Sequence, residues 1–365
     1  MGIGRRVAEA RAEQGVTQEQ LAVAVGLERS ALAKIETEKR RLSALELVAI
    51  ARELQRRVEW FVDDAPPALV SYRRAHPDVA TQAIDLRLDE LVRETEFVVS
   101  CIPGLVSGQP EPLPPPATAA EAEEMAATAR HMLGLGPAGP AHNIAGLAAA
   151  LGLLVFSLDL GDGADAGTVL LEKGGVTLVN GSRMVGRRRL AAAHELGHFL
   201  IADEYALDWR VASSEADGLE ARLDRFARAL LLPESDLRAR WARWTNTPDE
   251  SWRDAAVRAA SCYRVDMATL ARRLKELRLV EHSRAEDIRQ VQTRRADIVE
   301  KDLVVSDELA PVALPRTYEQ AVLALYRREA VTEGRALGLL LGTFDSASLP
   351  ELPPVPASEI WTVTS

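Results

Sequence analysis

Within AAAHELGHFLIADEY, residues 191–205, His194 and His198 stand four positions apart with Glu195 beside the first. On a helix, positions i and i+4 lie one above the other, so both imidazoles can meet one metal ion. Glu195 sits one residue round from that face, where it can reach an activated water instead of the metal. There it can take the water's proton as the water attacks a carbonyl, which is the chemistry of zinc hydrolysis. Two histidines need at least one more protein ligand, with a position left open for water. The next helical pattern offers Glu215, Glu220 and Asp224 before FARALLLP. Glu220 and Asp224 again share a face. Glu220 is the expected third ligand, with Asp224 orienting a ligand histidine from behind. Glu215, ahead of Gly218 in an expected loop, is the weaker candidate. The donor to a developing oxyanion stays open among Tyr205, His131 and His142, Tyr205 being nearest in sequence. Gly197 is expected to leave room near the metal.

A second set of residues points to DNA. Thr17 and Gln20 have the spacing of a capping box, opening a short helix that Gly26 ends. Residues 28–35 follow as a recognition helix, with Leu21, Ala22, Leu27, Leu32 and Ile35 closing a small core. In such a unit Gln18, Arg29, Ser30 and Lys34 face base edges or phosphates, and Lys39, Arg40 and Arg41 meet the backbone from the next loop. Glu36 suits a structural pair with a nearby basic residue. A helical bundle used for protein contacts is the competing interpretation, because acids and bases are nearly balanced here.

The elements that must position these residues follow from periodicity. Short amphipathic helices fill residues 3–63, and a longer one covers about 78–100. The stretch SGQPEPLPPPATAA reads as an extended, unpacked linker. EAEEMAATARHMLGLG and HNIAGLAAALG read as helices; LLVFSLDL, TVLLE and VTLVN read as strands, the last two joined by KGG. The histidine helix starts near Val185, and its acidic successor stops at Pro233. The rest is mostly helical: Trp241, Trp244 and Trp252 suit packing, and residues 317–343 suit a helical hairpin. The expected fold class is mainly α with a small β-sheet (α+β). The expected domains are a DNA-binding head at 1–64, a connector at 65–117, a metal-binding body at 118–245 and a partner-binding helical region at 246–365.

Composition bounds the function. A length of 365 residues allows several domains, and a net charge of −10 disfavours a protein that coats nucleic acid without excluding one small DNA-reading module. The only two cysteines, Cys101 and Cys262, exclude a cysteine-rich zinc site and suit a reducing cytoplasm. No secretory signal or membrane span is expected.

The first segment resembles the Xre/Cro-type helix-turn-helix family over residues 3–62, on its Q-E-x-L-A…G-L…I-E…K-R pattern. Residues 118–245 resemble the ImmA/IrrE family of zinc metallopeptidases, on RRRLAAAHELGH followed by LDRFARALLLP. That resemblance implies a gluzincin-like peptidase holding one Zn2+ per chain and acting on, or beside, transcriptional repressors. Family members often carry Asn where this chain has Asp224. The Xre resemblance implies a homodimer on double-stranded operator DNA. Two functions follow as expectations. One is a cytoplasmic regulator that cleaves a protein partner, a repressor or toxin; the other is a non-catalytic antitoxin that holds a toxin through a peptidase-like body.

Overall fold

Short polar side chains decide where the N-terminal helices begin. Thr17 Oγ1 accepts from the Gln20 amide while the Gln20 side chain accepts from the Thr17 amide, and Ser43 and Glu46 repeat the device. These boxes satisfy amides that have no intrahelical partner. In the computed structural model, described for residues 3–13, 16–54, 58, 61, 69–71, 79–106, 108, 110–162, 165–202, 213–248 and 251–352, the chain divides into two compact units, Met1–Ala68 and Leu69–Ser365.

The first unit contains α1 (Ile3–Glu13), α2 (Gln18–Ala24), α3 (Arg29–Glu36) and α4 (Ala44–Glu53). Gly26 takes a φ of +69° between α2 and α3, a conformation that costs glycine least. Leu21, Ala22, Leu32 and Ile35 are buried as expected, and Leu27 is half-buried against the same core. The recognition helix begins one residue later than expected, because Glu28 is extended and serves as its N-cap.

The second unit is built on a four-stranded sheet in the order β1–β3–β4–β2, from β1 (Leu69–Ser71), β2 (Leu153–Leu158), β3 (Ala166–Leu170) and β4 (Gly175–Asn180). β2 runs parallel to β4, and β3 is antiparallel to β4 and to β1. The three expected strands are therefore joined by a fourth that carried no pattern of its own. Thr168 and Thr177 share a buried hydrogen bond of 2.7 Å across the β3–β4 hairpin. Before β2 come α5 (Val79–Cys101), α6 (Ala119–Met132) and α7 (Ile144–Ala150). After β4 come α8 (Val185–Leu200), α9 (Ser213–Leu231), α10 (Glu234–Thr245), α11 (Trp252–Tyr263), α12 (Met267–Glu276), α13 (His282–Arg289), α14 (Arg295–Glu300), α15 (Arg316–Arg327) and α16 (Glu333–Leu339). The α+β class holds. Among the described residues no helix is long and apolar enough to cross a membrane.

α8 lies on β2, β3 and β4, and α5 covers β3 and β4 as well. The helix α8 is buried along most of its length between the sheet and α9, its buried residues including Arg188, Arg189, His194, Glu195 and His198 as well as apolar ones. Two expectations need correction. The proline-rich segment is extended but docked: the Leu113 amide donates to the Leu200 carbonyl at 2.8 Å, and Pro116 is buried. An orphan carbonyl at the end of α8 thereby gains a donor. Nor does the core stop at residue 245, since one cluster of buried side chains runs from Ala122 to Leu309 and includes Trp241 and Trp244. Residues 317–343 form the helical hairpin α15–α16, packed on α5 through an Arg335–Glu94 pair and on β2 through Tyr318 against Phe156.

Candidate metal centre

Helix α8 presents His194 and His198, both buried, toward α9. The two Nε2 atoms are 3.1 Å apart. Glu220 on α9 places Oε2 at 3.2 Å from His194 Nε2 and Oε1 at 3.2 Å from His198 Nε2. Ligands about 2.05 Å from a tetrahedral zinc ion lie about 3.3 Å from one another. The two nitrogens have about that spacing, and the Glu220 carboxylate spans them, one oxygen facing each, so the three residues converge as candidate ligands of one ion. Behind them, His194 Nδ1 is 2.8 Å from Asp224 Oδ1. A carboxylate there fixes the imidazole tautomer so that the Nε2 lone pair faces the other donors.

Electrostatics fits the same picture. Burial opposes a charge on His194, but hydrogen bonding to Asp224 and Glu220 outweighs it and raises its pKa. Burial likewise pushes the Glu220 carboxyl up, and the two histidines pull it far below the usual carboxylate range. A cation at this point is strongly favoured, as a proton or as a metal. Among the described residues this is the group of histidine and acidic side chains whose donor atoms lie within 4.8 Å of one another.

The close approach of α8 and α9 makes the set possible. A side-chain carbon at Gly197 would come 3.0 Å from the Phe226 ring and 3.2 Å from Leu223. Gly197 thus serves helix contact, not space near the metal, which corrects the sequence expectation. The helix is held from behind by buried charge. Arg189 donates to the carbonyls of Arg264 and Ala141 and pairs with Glu308; Arg188 donates to the carbonyls of Gly181 and Glu308.

A cleft of about 370 Å³ opens beside His194 and is lined also by Glu195 and Asp224, but not by His198 or Glu220. Glu195 is buried and contributes no atom to the three-donor set. The same cleft is walled by Asp165 and Ala166 at the start of β3, and by residues of α12 and α13 that the sequence did not single out. Nothing local in their pattern signals this, because the tertiary packing alone brings them over. Of the open oxyanion candidates, His131 and His142 are exposed and do not line the cleft. Tyr205 lies outside the described residues, as does the side chain of Glu215.

In the first unit Arg29, Ser30, Lys34, Lys39 and Arg41 are exposed on or just after α3. Several of the expected DNA contacts also have partners within the unit: Ser30 donates to Glu28 at 3.4 Å, and Arg29 stands 3.9 Å from Glu19. Gln18 donates to Glu36 at 2.7 Å, and Arg40 pairs with Glu46 at 2.7 Å. Glu36 is buried and bound in a bidentate manner by Arg11, at 2.6 and 3.1 Å, so it is a structural pair.

A three-donor metal pocket with an unligated glutamate beside it, on a helix packed against a small sheet, defines a metallopeptidase-like domain. Comparison with known families agrees. Residues 7–61 match the Helix-turn-helix family model, and residues 148–275 match the IrrE N-terminal-like domain, a peptidase family. The chain therefore joins a segment similar to Xre-type helix-turn-helix proteins to a region similar to the ImmA/IrrE-type peptidase domain. No curated protein and no solved structure matches it.

Proposed function

We propose that this chain is a transcriptional regulator whose second unit is a zinc-dependent endopeptidase restricted to one protein partner, a repressor or a toxin. The observation that carries this is the convergence of His194, His198 and the Glu220 carboxylate, with Glu195 one residue along from His194. The donor set suits Zn2+, one ion per chain, which His194, His198 and Glu220 would hold. Zinc at such a site polarises a carbonyl and lowers the pKa of its water toward neutrality.

The remaining work belongs to this chain's own groups. Glu195 takes a proton from the attacking water on its carboxylate and returns it to the departing amine, as a general base that becomes a general acid. Asp224 holds the Nδ1 side of His194 and keeps its Nε2 turned inward. In this reading residues 1–64 bind operator DNA, as a homodimer in the cytoplasm, through Arg29, Ser30, Lys34, Lys39 and Arg41. Residues 118–245 carry the peptidase centre, and the helices after 245 extend its cleft.

The experiment is trapping with Glu195→Gln in the full-length protein. The variant is expected to keep stoichiometric zinc and to hold an intact partner that the wild-type chain cleaves. Cleavage of that partner should fall about a hundred- to ten-thousand-fold. A partner bound by both forms and cleaved by neither would instead identify a non-catalytic antitoxin.

A further inference from the structure

The cleft beside Glu195 has an uneven supply of charge once its internal pairs are accounted for. Of its four acids, Asp165, Asp224 and Asp266 have partners within the protein. Asp165 is bound by Arg187 and Arg183, and Asp224 stands against His194. Asp266 caps α12, accepting from the amide and hydroxyl of Thr269 at 2.8 and 2.9 Å. Glu195 is the general base in the reading above.

The cations are not all committed. Arg187 is held by Asp165, and Arg228 by Glu276 at 2.8 Å, that pair being largely buried. Arg272 is two-thirds exposed, and its nearest carboxylate is the same Glu276, at 3.4 Å. Arg289, at the end of α13, lines the cleft and forms no ion pair among the described residues. α12 and α13 pack on each other, so these two guanidiniums belong to one wall of the cleft. A volume of about 370 Å³ suits a residue or two of an extended peptide. Guanidinium pairs bind carboxylates through strong, often forked, charge-assisted hydrogen bonds.

Resting on the peptidase reading, we propose that this wall is a specificity subsite that takes a substrate carboxylate, held by Arg272 and Arg289 next to the bond to be cut. The carboxylate comes from an Asp or Glu side chain or from a chain end. Arg272 lies within the region matched by the peptidase family and Arg289 beyond its end at residue 275, so the subsite combines the matched domain with the helix that follows it.

Zinc-loaded full-length protein is titrated with fluorescein-labelled peptide hydroxamates, whose hydroxamate anchors on the metal. The amidated probes carry Asp, Asn or Lys at either of the two positions next to the hydroxamate, and a fourth probe has alanines and a free terminal carboxylate. Wild-type protein should bind an Asp or a free-carboxylate probe about tenfold more tightly than the Asn and Lys probes. Which of the two is favoured assigns the carboxylate to a side chain or to a chain end. R272E/R289E should reverse the order in favour of Lys, and R272Q/R289Q should level it, with zinc content and circular dichroism unchanged. Equal binding of all probes by wild-type protein would overturn the subsite while leaving the metal centre intact. Failure of the zinc-loaded protein to bind any hydroxamate would overturn the peptidase reading and the subsite with it.

Discussion

Two clusters of buried charge sit on the same helix, α8, less than two turns apart, and they are satisfied in different ways. Around Arg188 and Arg189, the guanidiniums donate to protein acceptors: the carbonyls of Gly181, Ala141, Arg264 and Glu308, and the Glu308 carboxylate. Around His194 and His198, three electron-pair donors converge on one another, and a hydrogen bond between the two Nε2 atoms can use only one proton. Buried polar groups carry a desolvation cost that some partner must offset. Where the partners are protein atoms the cluster is structural; where donors face a common point it is a ligand site.

Breaking the metal cluster should give the largest effect. His194→Ala or His198→Ala removes one of the three proposed ligands, and stoichiometric zinc should be lost, as measured by metal analysis after dialysis. The fold should persist in that variant, because the core from Ala122 to Leu309 does not depend on the imidazoles. Breaking the structural cluster should show the opposite. Glu308→Ala leaves the fully buried Arg189 without its counter-ion and should cost about 3–5 kcal/mol in denaturant unfolding. Zinc loss should then follow unfolding rather than precede it.

A smaller effect tests the link between them. Asp224→Ala should weaken zinc affinity about ten- to a hundredfold with little change in stability, since the carboxylate is half exposed and acts through His194. Asp224→Asn, which keeps an acceptor for Nδ1, should recover most of it. The smallest effect concerns a carboxyl whose burial is not offset. Burial lifts Glu96 on α5 from an ordinary 4.5 to about 7 despite the nearby charge of Arg93. The folded protein therefore keeps a proton that the unfolded chain releases, and stability should fall as pH rises from about 4.5 to about 7. Glu96→Gln should flatten that part of the profile in thermal unfolding scans.

The DNA-binding unit offers a milder version of the same contrast. Glu36 is buried and fully engaged by Arg11, whereas Arg29, Lys34, Lys39 and Arg41 remain at the surface around α3. Arg40 is drawn into a pair with Glu46, the partner of Ser43 in the capping box of α4. That diversion is legible in sequence only after the cap is recognised, because the basic run alone treats its three members alike.

What the amino-acid order determined by itself is whatever repeats within a few residues. The i, i+4 spacing of His194 and His198, the spacing of Glu220 and Asp224, the capping boxes and the alternating strands are local, because backbone geometry converts short separations directly into shared faces. Only the tertiary structure decided that Glu220 reaches both histidines, that Gly197 admits Phe226 of the next helix, and that Glu308 anchors Arg189 from 119 residues away. The same holds for Leu113 docking on Leu200 and for Arg272 and Arg289 reaching the Glu195 cleft. Such contacts depend on how whole elements pack, and close packing is set by the summed shapes of side chains distant in sequence.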